Sequence, residues 1–155
     1  FNGISIMPCN LYGTNDSFDL EHAHVLSSLV KKIVDAHDEN KNEIIIWGTG
    51  IAQREFMHVD DAASAILYLL DLDTSYNLIN IGVGEDISIL NLAKKIISIV
   101  GFKGEIAFDK TKSDGMLKKC MDVTRMQNLG FRPKISLEEG ILKTINEYKN
   151  IKRQY

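Results

Sequence analysis

Short β-branched runs alternate along this chain with segments of helical periodicity, and that alternation most limits what it can fold into. Gly3 to Pro8 alternates small and apolar residues and ends at a proline, which predicts a short buried strand. A loop is expected over Cys9 to Asp19, where Asn10-Leu11-Tyr12-Gly13 and Asn15-Asp16 carry turn formers. From about Glu21 the pattern turns helical: Val25, Leu29, Ile33 and Ala36 recur every three or four residues, and the helix should fray near Asn40. Lys31, Lys32, Asp35 and Asp38 take its other side. Glu43 to Trp47 predicts a buried strand closed by Gly48-Thr49-Gly50, and Arg54 to His58 a short one. Asp60 and Asp61 suit the start of a helix over Ala62 to Leu70, expected to be buried on most sides.

The second half repeats the alternation. Tyr76 to Ile81 predicts a strand. Ser88 is placed to cap a helix that Gly101 stops. Glu105 to Phe108 predicts another strand, and a lysine-rich loop follows over Lys110 to Lys119. Thr124 with Gln127 and Ser136 with Glu139 both have capping-box spacing. The second pair opens a last helix whose apolar face is Leu137, Ile141, Ile145 and Tyr148. The fold class is α/β, without an internal repeat. The strands are too few for a complete dinucleotide-binding domain, and the Rossmann glycine fingerprint is absent. Gly48/Gly50 and Gly82/Gly84 are GxG pairs only and read as turn glycines. The chain starts Phe1-Asn2-Gly3, without an initiator Met or signal-peptide pattern, and reads as a piece of something longer.

Composition narrows the classes further. Of 155 residues, 45% are hydrophobic and 25% charged, the balance of a globular domain rather than a disordered tail. Eighteen Lys and Arg against 21 Asp and Glu leave a net charge of −3, so nothing general favours nucleic acid, although a local basic pocket for phosphate is compatible. No stretch approaches the ~18 apolar residues of a membrane span, and no membrane partner is expected. Cys9 and Cys120 lie far apart without metal-ligand spacing, so no metal is expected. Sparse cysteine fits a reducing, cytoplasmic setting.

Three blocks carry a resemblance. The first is Pro8-Cys9-Asn10-Leu11-Tyr12-Gly13 with Asn15-Asp16-Ser17-Phe18 and Ala23-His24-Val25. The second runs from Trp47-Gly48-Thr49-Gly50 to Arg54-Glu55-Phe56-Met57-His58-Val59-Asp60-Asp61. The third joins Ser113-Asp114-Gly115, Lys118-Lys119, Asp122-Val123-Thr124-Arg125 and Leu129-Gly130-Phe131-Arg132-Pro133. Together, from Ile4 to about Tyr148, they resemble the C-terminal, substrate-binding half of extended short-chain dehydrogenase/reductases acting on nucleotide sugars. Within these they resemble the GDP-L-fucose synthase family.

The resemblance implies a nucleotide-sugar epimerase-like half with a remnant of the Rossmann sheet. Residues 1–20 would be the last part of the cofactor domain and 21–155 the nucleotide-sugar-binding region. The glycine-rich NADP loop, catalytic Ser, Tyr-x-x-x-Lys pair and epimerisation cysteine of the family would all lie upstream of Phe1. Cys9 does not match that cysteine. The implied activity is 3,5-epimerisation and NADPH-dependent 4-reduction of GDP-4-keto-6-deoxy-D-mannose to GDP-L-fucose. The isolated chain would be inactive as a reductase, and the whole enzyme a homodimer.

His24 matches the family's proton donor, and histidine is the side-chain type that exchanges protons near neutral pH. His22 lies two residues away, on another helix face, and the pair is not expected to bind metal. His37 and His58 read as surface or core residues. Pro8, Cys9, Asn10, Leu11 and His24 match the segment beside the nicotinamide end of NADP(H). Lys32, Trp47, Arg54, Glu105, Asp114 and Lys119 match substrate-holding positions: cations for the diphosphate, an aromatic ring for sugar or base, and Asp114 as a hydrogen-bond acceptor for guanine or ribose. Any contact from Glu105 would run through its backbone. For Lys32 the alternative is a solvated helix face, for Trp47 a core residue, and for Asp114 and Lys119 a flexible charged loop. Other readings are a different epimerase or dehydratase of that superfamily, or a non-catalytic nucleotide-sugar-binding fragment.

Overall fold

A computed structural model describes residues 3–20 and 22–154. Three parallel strand pairs and one small mixed sheet carry the α/β alternation. Strand β1 (Ser5–Pro8) pairs with β6 (Leu78–Ile81), and β2 (Asn10–Tyr12) pairs with β5 (Phe56–His58). Strand β3 (Glu43–Trp47) pairs with β8 (Glu105–Asp109). In the mixed sheet β4 (Gln53–Arg54) lies between antiparallel β7 (Ile87–Ser88) and parallel β9 (Lys118–Lys119).

The helices are α1 (Val25–Asp38), α2 (Val59–Leu70), α3 (Ile89–Val100), α4 (Thr124–Asn128) and α5 (Leu137–Lys152). Two cores result. Leu26, Val30 and Ile33 of α1 meet Leu92 and Ile96 of α3, Ile141 and Ile145 of α5, and the inner face of β3. Ile79, Ile81, Met57, Ala65, Leu69 and Met126 form the second.

Local signals hold where they are local. The Ser88 hydroxyl accepts from the Asn91 amide, and Gly101 ends α3 at φ +81°, a conformation that costs glycine little. Ser136 and Glu139 form the complete capping box of α5. The Thr124–Gln127 box does not form. Val123 occupies the cap position of α4, and the Asp122 carboxylate instead takes the Thr124 amide and hydroxyl at 3.0 and 2.6 Å.

Other expectations need correction. The loop expected over Cys9 to Asp19 contains β2, because its backbone pairs with β5. The strand expected over Arg54 to His58 is two strands in different sheets, divided at Glu55. The lysine-rich loop ends in β9. Helix α1 begins at Val25; Glu21, where it was expected to start, lies outside the described residues. Neither β1 nor β3 is fully buried: β3 sends only alternate side chains into a core, and in β1 only Ile6 is partly covered. Helix α2 buries one face through Ala62, Ala65 and Leu69 and leaves Leu67 and Leu70 exposed.

Candidate functional site

Two cavities gather most of the candidate residues. The first, about 290 Å³, is lined by Lys32 from α1, Trp47 at the end of β3, Arg54 from β4, and Asp114 from the β8–β9 connection. The alternation of β3 puts Ile44 and Ile46 in the core and leaves Trp47 57% exposed, so Trp47 is a surface platform rather than a core residue. The Lys32 ammonium sits 5.0 Å from the ring centroid and 3.4 Å from the Ile45 carbonyl oxygen. Partial burial pulls its pKa below the ordinary lysine value. It is therefore a held cation, not part of a solvated face.

Arg54 donates from Nη1 to the Gln53 carbonyl at 2.8 Å and from Nη2 to the Asp114 carbonyl at 3.5 Å. Neither Lys32 nor Arg54 forms an ion pair among the described residues. Both cations line one cavity without a direct ion pair, and the only carboxylate in that lining, Asp114, is bonded to Thr49. A guanidinium fork and an ammonium beside an aromatic face suit a phosphorylated ligand with a planar group.

Asp114 is not a free acceptor. Its Oδ1 takes the Thr49 amide and its Oδ2 the Thr49 hydroxyl, each at 2.8 Å. These bonds hold its carboxyl below the usual pKa range. Gly48 permits the approach: its φ of +73° suits glycine, and a Cβ there would run into the Asp114 carboxylate. Lys119 lies opposite Arg54 in the β4–β9 register, exposed and outside the cavity lining. Glu105 is not brought here. It faces Glu43, whereas Trp47 faces Asp109, roughly 13 Å further along β8.

The second cavity, about 440 Å³, is lined by Cys9, Asn10 and Leu11, by the turn after them, and by His24. Pro8 precedes it in β1, exposed and paired with Ile81. Asn10 Nδ2 donates to the Glu55 carbonyl at 2.7 Å, which fixes its side chain. Burial, then the nearby Glu55 charge, pushes the Cys9 thiol up to about 12, so it is no nucleophile at neutral pH. His24 stands exposed at the N-cap position of α1 and makes no side-chain capping bond. The Ser27 hydroxyl bonds Asp16 and ties the preceding turn to α1. Among the described residues no cluster of three or more His, Cys, Asp or Glu is suited to a metal, and no helix is long and apolar enough to cross a membrane.

Sequence reasoning passed over two residues that organise the site. Thr49 belongs to a strand-ending turn and to the second resemblance block, and neither gives it a role of its own. Glu55, 1% exposed, lies between β4 and β5. Its Oε1 accepts from the Val83 and Gly84 amides at 2.5 and 2.8 Å, and its Oε2 from the Met121 amide at 2.7 Å. The available signal was a carboxylate set directly against the apolar run Phe56-Met57.

His58 proves to be a core residue with a pH consequence. It is 1% exposed; Nδ1 accepts from the Asp60 amide at 3.2 Å, and among the described residues Nε2 has no hydrogen-bond partner. Burial lowers its pKa, outweighing Asp60, Asp61 and Glu147, which favour the charged ring, while Lys143 opposes it. The folded state disfavours the imidazolium, so stability is complete above about pH 6.5 and falls as the unfolded chain takes up the proton below it. The urea midpoint should drop between pH 7.5 and 5.5. His58→Asn, which keeps a capping acceptor but does not titrate, should flatten that slope. An unchanged slope would assign the dependence elsewhere.

Comparison with known proteins bears on both cavities. Residues 1–82 match the model of the NAD dependent epimerase/dehydratase family. The chain is 40% identical over 148 residues to the probable GDP-L-fucose synthase 1 of Oryza sativa subsp. japonica, covering 96% of this chain and 45% of that protein. It is 40% identical over 149 residues to the GDP-L-fucose synthase of Escherichia coli (strain K12), covering 90% of this chain and 46% of that one. Among solved structures, the GDP-L-fucose synthetase from Naegleria fowleri bound to NADP superposes with a TM-score of 0.88 at 28% identity, over 97% of this chain and 47% of that one. The chain spans about half the length of the curated relatives it matches.

Proposed function

Since this chain belongs to the NAD dependent epimerase/dehydratase family, we propose that it supplies the nucleotide-sugar pocket of a GDP-L-fucose synthase. The complete enzyme would epimerise C3 and C5 of GDP-4-keto-6-deoxy-D-mannose and reduce C4 with NADPH. The carrying observation is that Lys32 and Arg54, neither in an ion pair among the described residues, share one cavity with the exposed Trp47. In this reading the two cations bind the diphosphate and Trp47 covers the base or sugar. Lys119, next to Arg54 in the ladder, strengthens the positive field at the rim.

Residues 1–20 would close the cofactor side and 21–155 hold the sugar nucleotide. Cys9, Asn10, Leu11 and His24, with Pro8 before them, fit one end of NADP(H), because they line one cleft and His24 lies between Ala23 and Val25 of the sugar pocket. No glycine-rich phosphate loop occurs in these 155 residues, so the cofactor's phosphates would be held by sequence outside them. When bound, NADPH supplies the hydride. His24, exposed at the cleft, delivers a proton to the carbon inverted next to the ketone. The homodimer and the cytoplasmic setting belong to the same proposal.

Calorimetric titration with GDP, ADP, UDP and NADPH tests it. GDP should bind at least about tenfold tighter than ADP or UDP. NADPH oxidation with the keto-sugar should require an added NADP-binding half. Equal affinity for all nucleotides would overturn the substrate assignment. Turnover by the isolated chain would overturn the division of labour.

A further inference from the structure

The β8–β9 connection borders the first cavity through Ser113 and Asp114, as a strap anchored at both ends. At one end the Gly48 amide donates to the Asp109 carbonyl at 2.9 Å; at the other the Gln53 amide donates to the Leu117 carbonyl at 2.7 Å, where β9 begins. Between these anchors the strap bonds mostly to itself. The Asp109 carboxylate takes the Thr111 amide and hydroxyl, and Ser113 Oγ accepts from the Gly115 amide. Among the described residues, Asp114 alone links residues 110–116 to the cavity wall by hydrogen bonds. Its carboxylate accepts from Thr49, 65 residues away, and its carbonyl from Arg54. On the same strap the Lys112 ammonium is 5.4 Å from the Trp47 ring centroid, the ring that Lys32 also approaches.

We propose that the Thr49–Asp114 pair is a latch that holds the strap against the cavity and thereby positions Lys112 and Arg54 for an anionic ligand. The proposal deepens the nucleotide-sugar reading and rests on it. Asp114 is then a positioning residue rather than an acceptor for base or ribose. Lys112 becomes a third cation at the diphosphate, brought near only while the latch is closed. The arrangement has a physical logic. Two ammonium groups near one ring repel each other, so an exposed lysine on a strap without this tether would move out into water. Two hydrogen bonds to one carboxylate, both between exposed groups and each individually weak, hold it near without making the site rigid.

The test compares the wild-type chain with Thr49→Val, Asp114→Asn and Thr49→Ser, which keeps both donors. Trypsin cleavage after Lys110 and Lys112 reports strap opening without ligand. Emission of Trp47, the single tryptophan, reports the approach of Lys112 and the binding of GDP. Thr49→Val and Asp114→Asn should each speed cleavage several-fold and weaken GDP by ~10-fold. Thr49→Ser should behave as wild type. Weaker GDP binding in Asp114→Asn alone, with cleavage unchanged in both variants, would make Asp114 a direct acceptor and overturn the latch. Faster cleavage with unchanged GDP affinity would overturn the positioning role. A folded wild-type chain that binds no GDP would overturn the functional reading and the positioning role with it, and the cleavage comparison would then decide the latch alone.

Discussion

Arg54→Ala should weaken GDP binding by about 100-fold while leaving the urea midpoint nearly unchanged. Arg54 spends one amino group on the neighbouring Gln53 carbonyl and only a long contact on the Asp114 carbonyl. The rest of its five-donor fork is free of any ion pair among the described residues, as is Lys32 in the same cavity. Charge-assisted bidentate bonds to phosphate are worth roughly twice a neutral hydrogen bond, and that difference sets the expected loss. Arg54→Lys should recover only part of it, because an ammonium keeps the charge and loses the fork. The folding cost stays small because no buried group depends on the guanidinium. Isothermal titration of the three proteins at fixed salt decides the matter. A loss below about threefold in Arg54→Ala would remove Arg54 from the phosphate site.

Glu55→Ala should destabilise the fold by about 3–5 kcal/mol, a large share of the 5–15 kcal/mol available to a domain of this kind. Three backbone amides, from Val83, Gly84 and Met121, would lose their acceptor inside the protein. Each buried unpaired donor costs about 1–3 kcal/mol, and partial entry of water keeps the sum below the simple total. The consequence is also functional. The main-chain carbonyl of the same residue accepts Asn10 Nδ2, a bond that Ala keeps, so loss of the carboxylate frees the wall of the second cavity from the turn after β6 and the segment after β9. Glu55→Gln should fall between the two, since an amide retains one acceptor oxygen but turns an NH2 donor towards a backbone N–H that needs an acceptor. Urea midpoints for the three proteins check the order. A Glu55→Ala midpoint equal to wild type would mean that the three amides find other partners.

Most of the helices were legible in the sequence, and the reason is local. Ser88, Gly101 and the Ser136–Glu139 pair act within one turn of their own helix, so a reader of four consecutive residues sees the whole interaction. Thr124 and Gln127 show where the rule stops. The spacing is right, yet the neighbouring Asp122 offers Thr124 a carboxylate two residues away, and the hydroxyl goes there. The strand around Arg54 to His58 was legible as extended chain, but its division was not. Gln53 and Arg54 pair with β7 and β9, and Phe56 to His58 pair with β2, partners that no periodicity within the segment names.

The candidate site divides along the same line. Residue type and motif position picked out Lys32, Trp47, Arg54 and Asp114, and the fold brings these four together. The sequence by itself determined which charges and rings were on offer, an α/β alternation, and a resemblance to nucleotide-sugar enzymes. Tertiary structure decided how they are used. It left Glu105 at the far end of β8, gave the Asp114 carboxylate to Thr49, and made Glu55 the anchor of two loops through three backbone amides. A carboxylate takes whichever donors the fold sets about 3 Å from it, and the donors of Asp114 and Glu55 come from positions 28 to 66 residues away, beyond the reach of any local pattern.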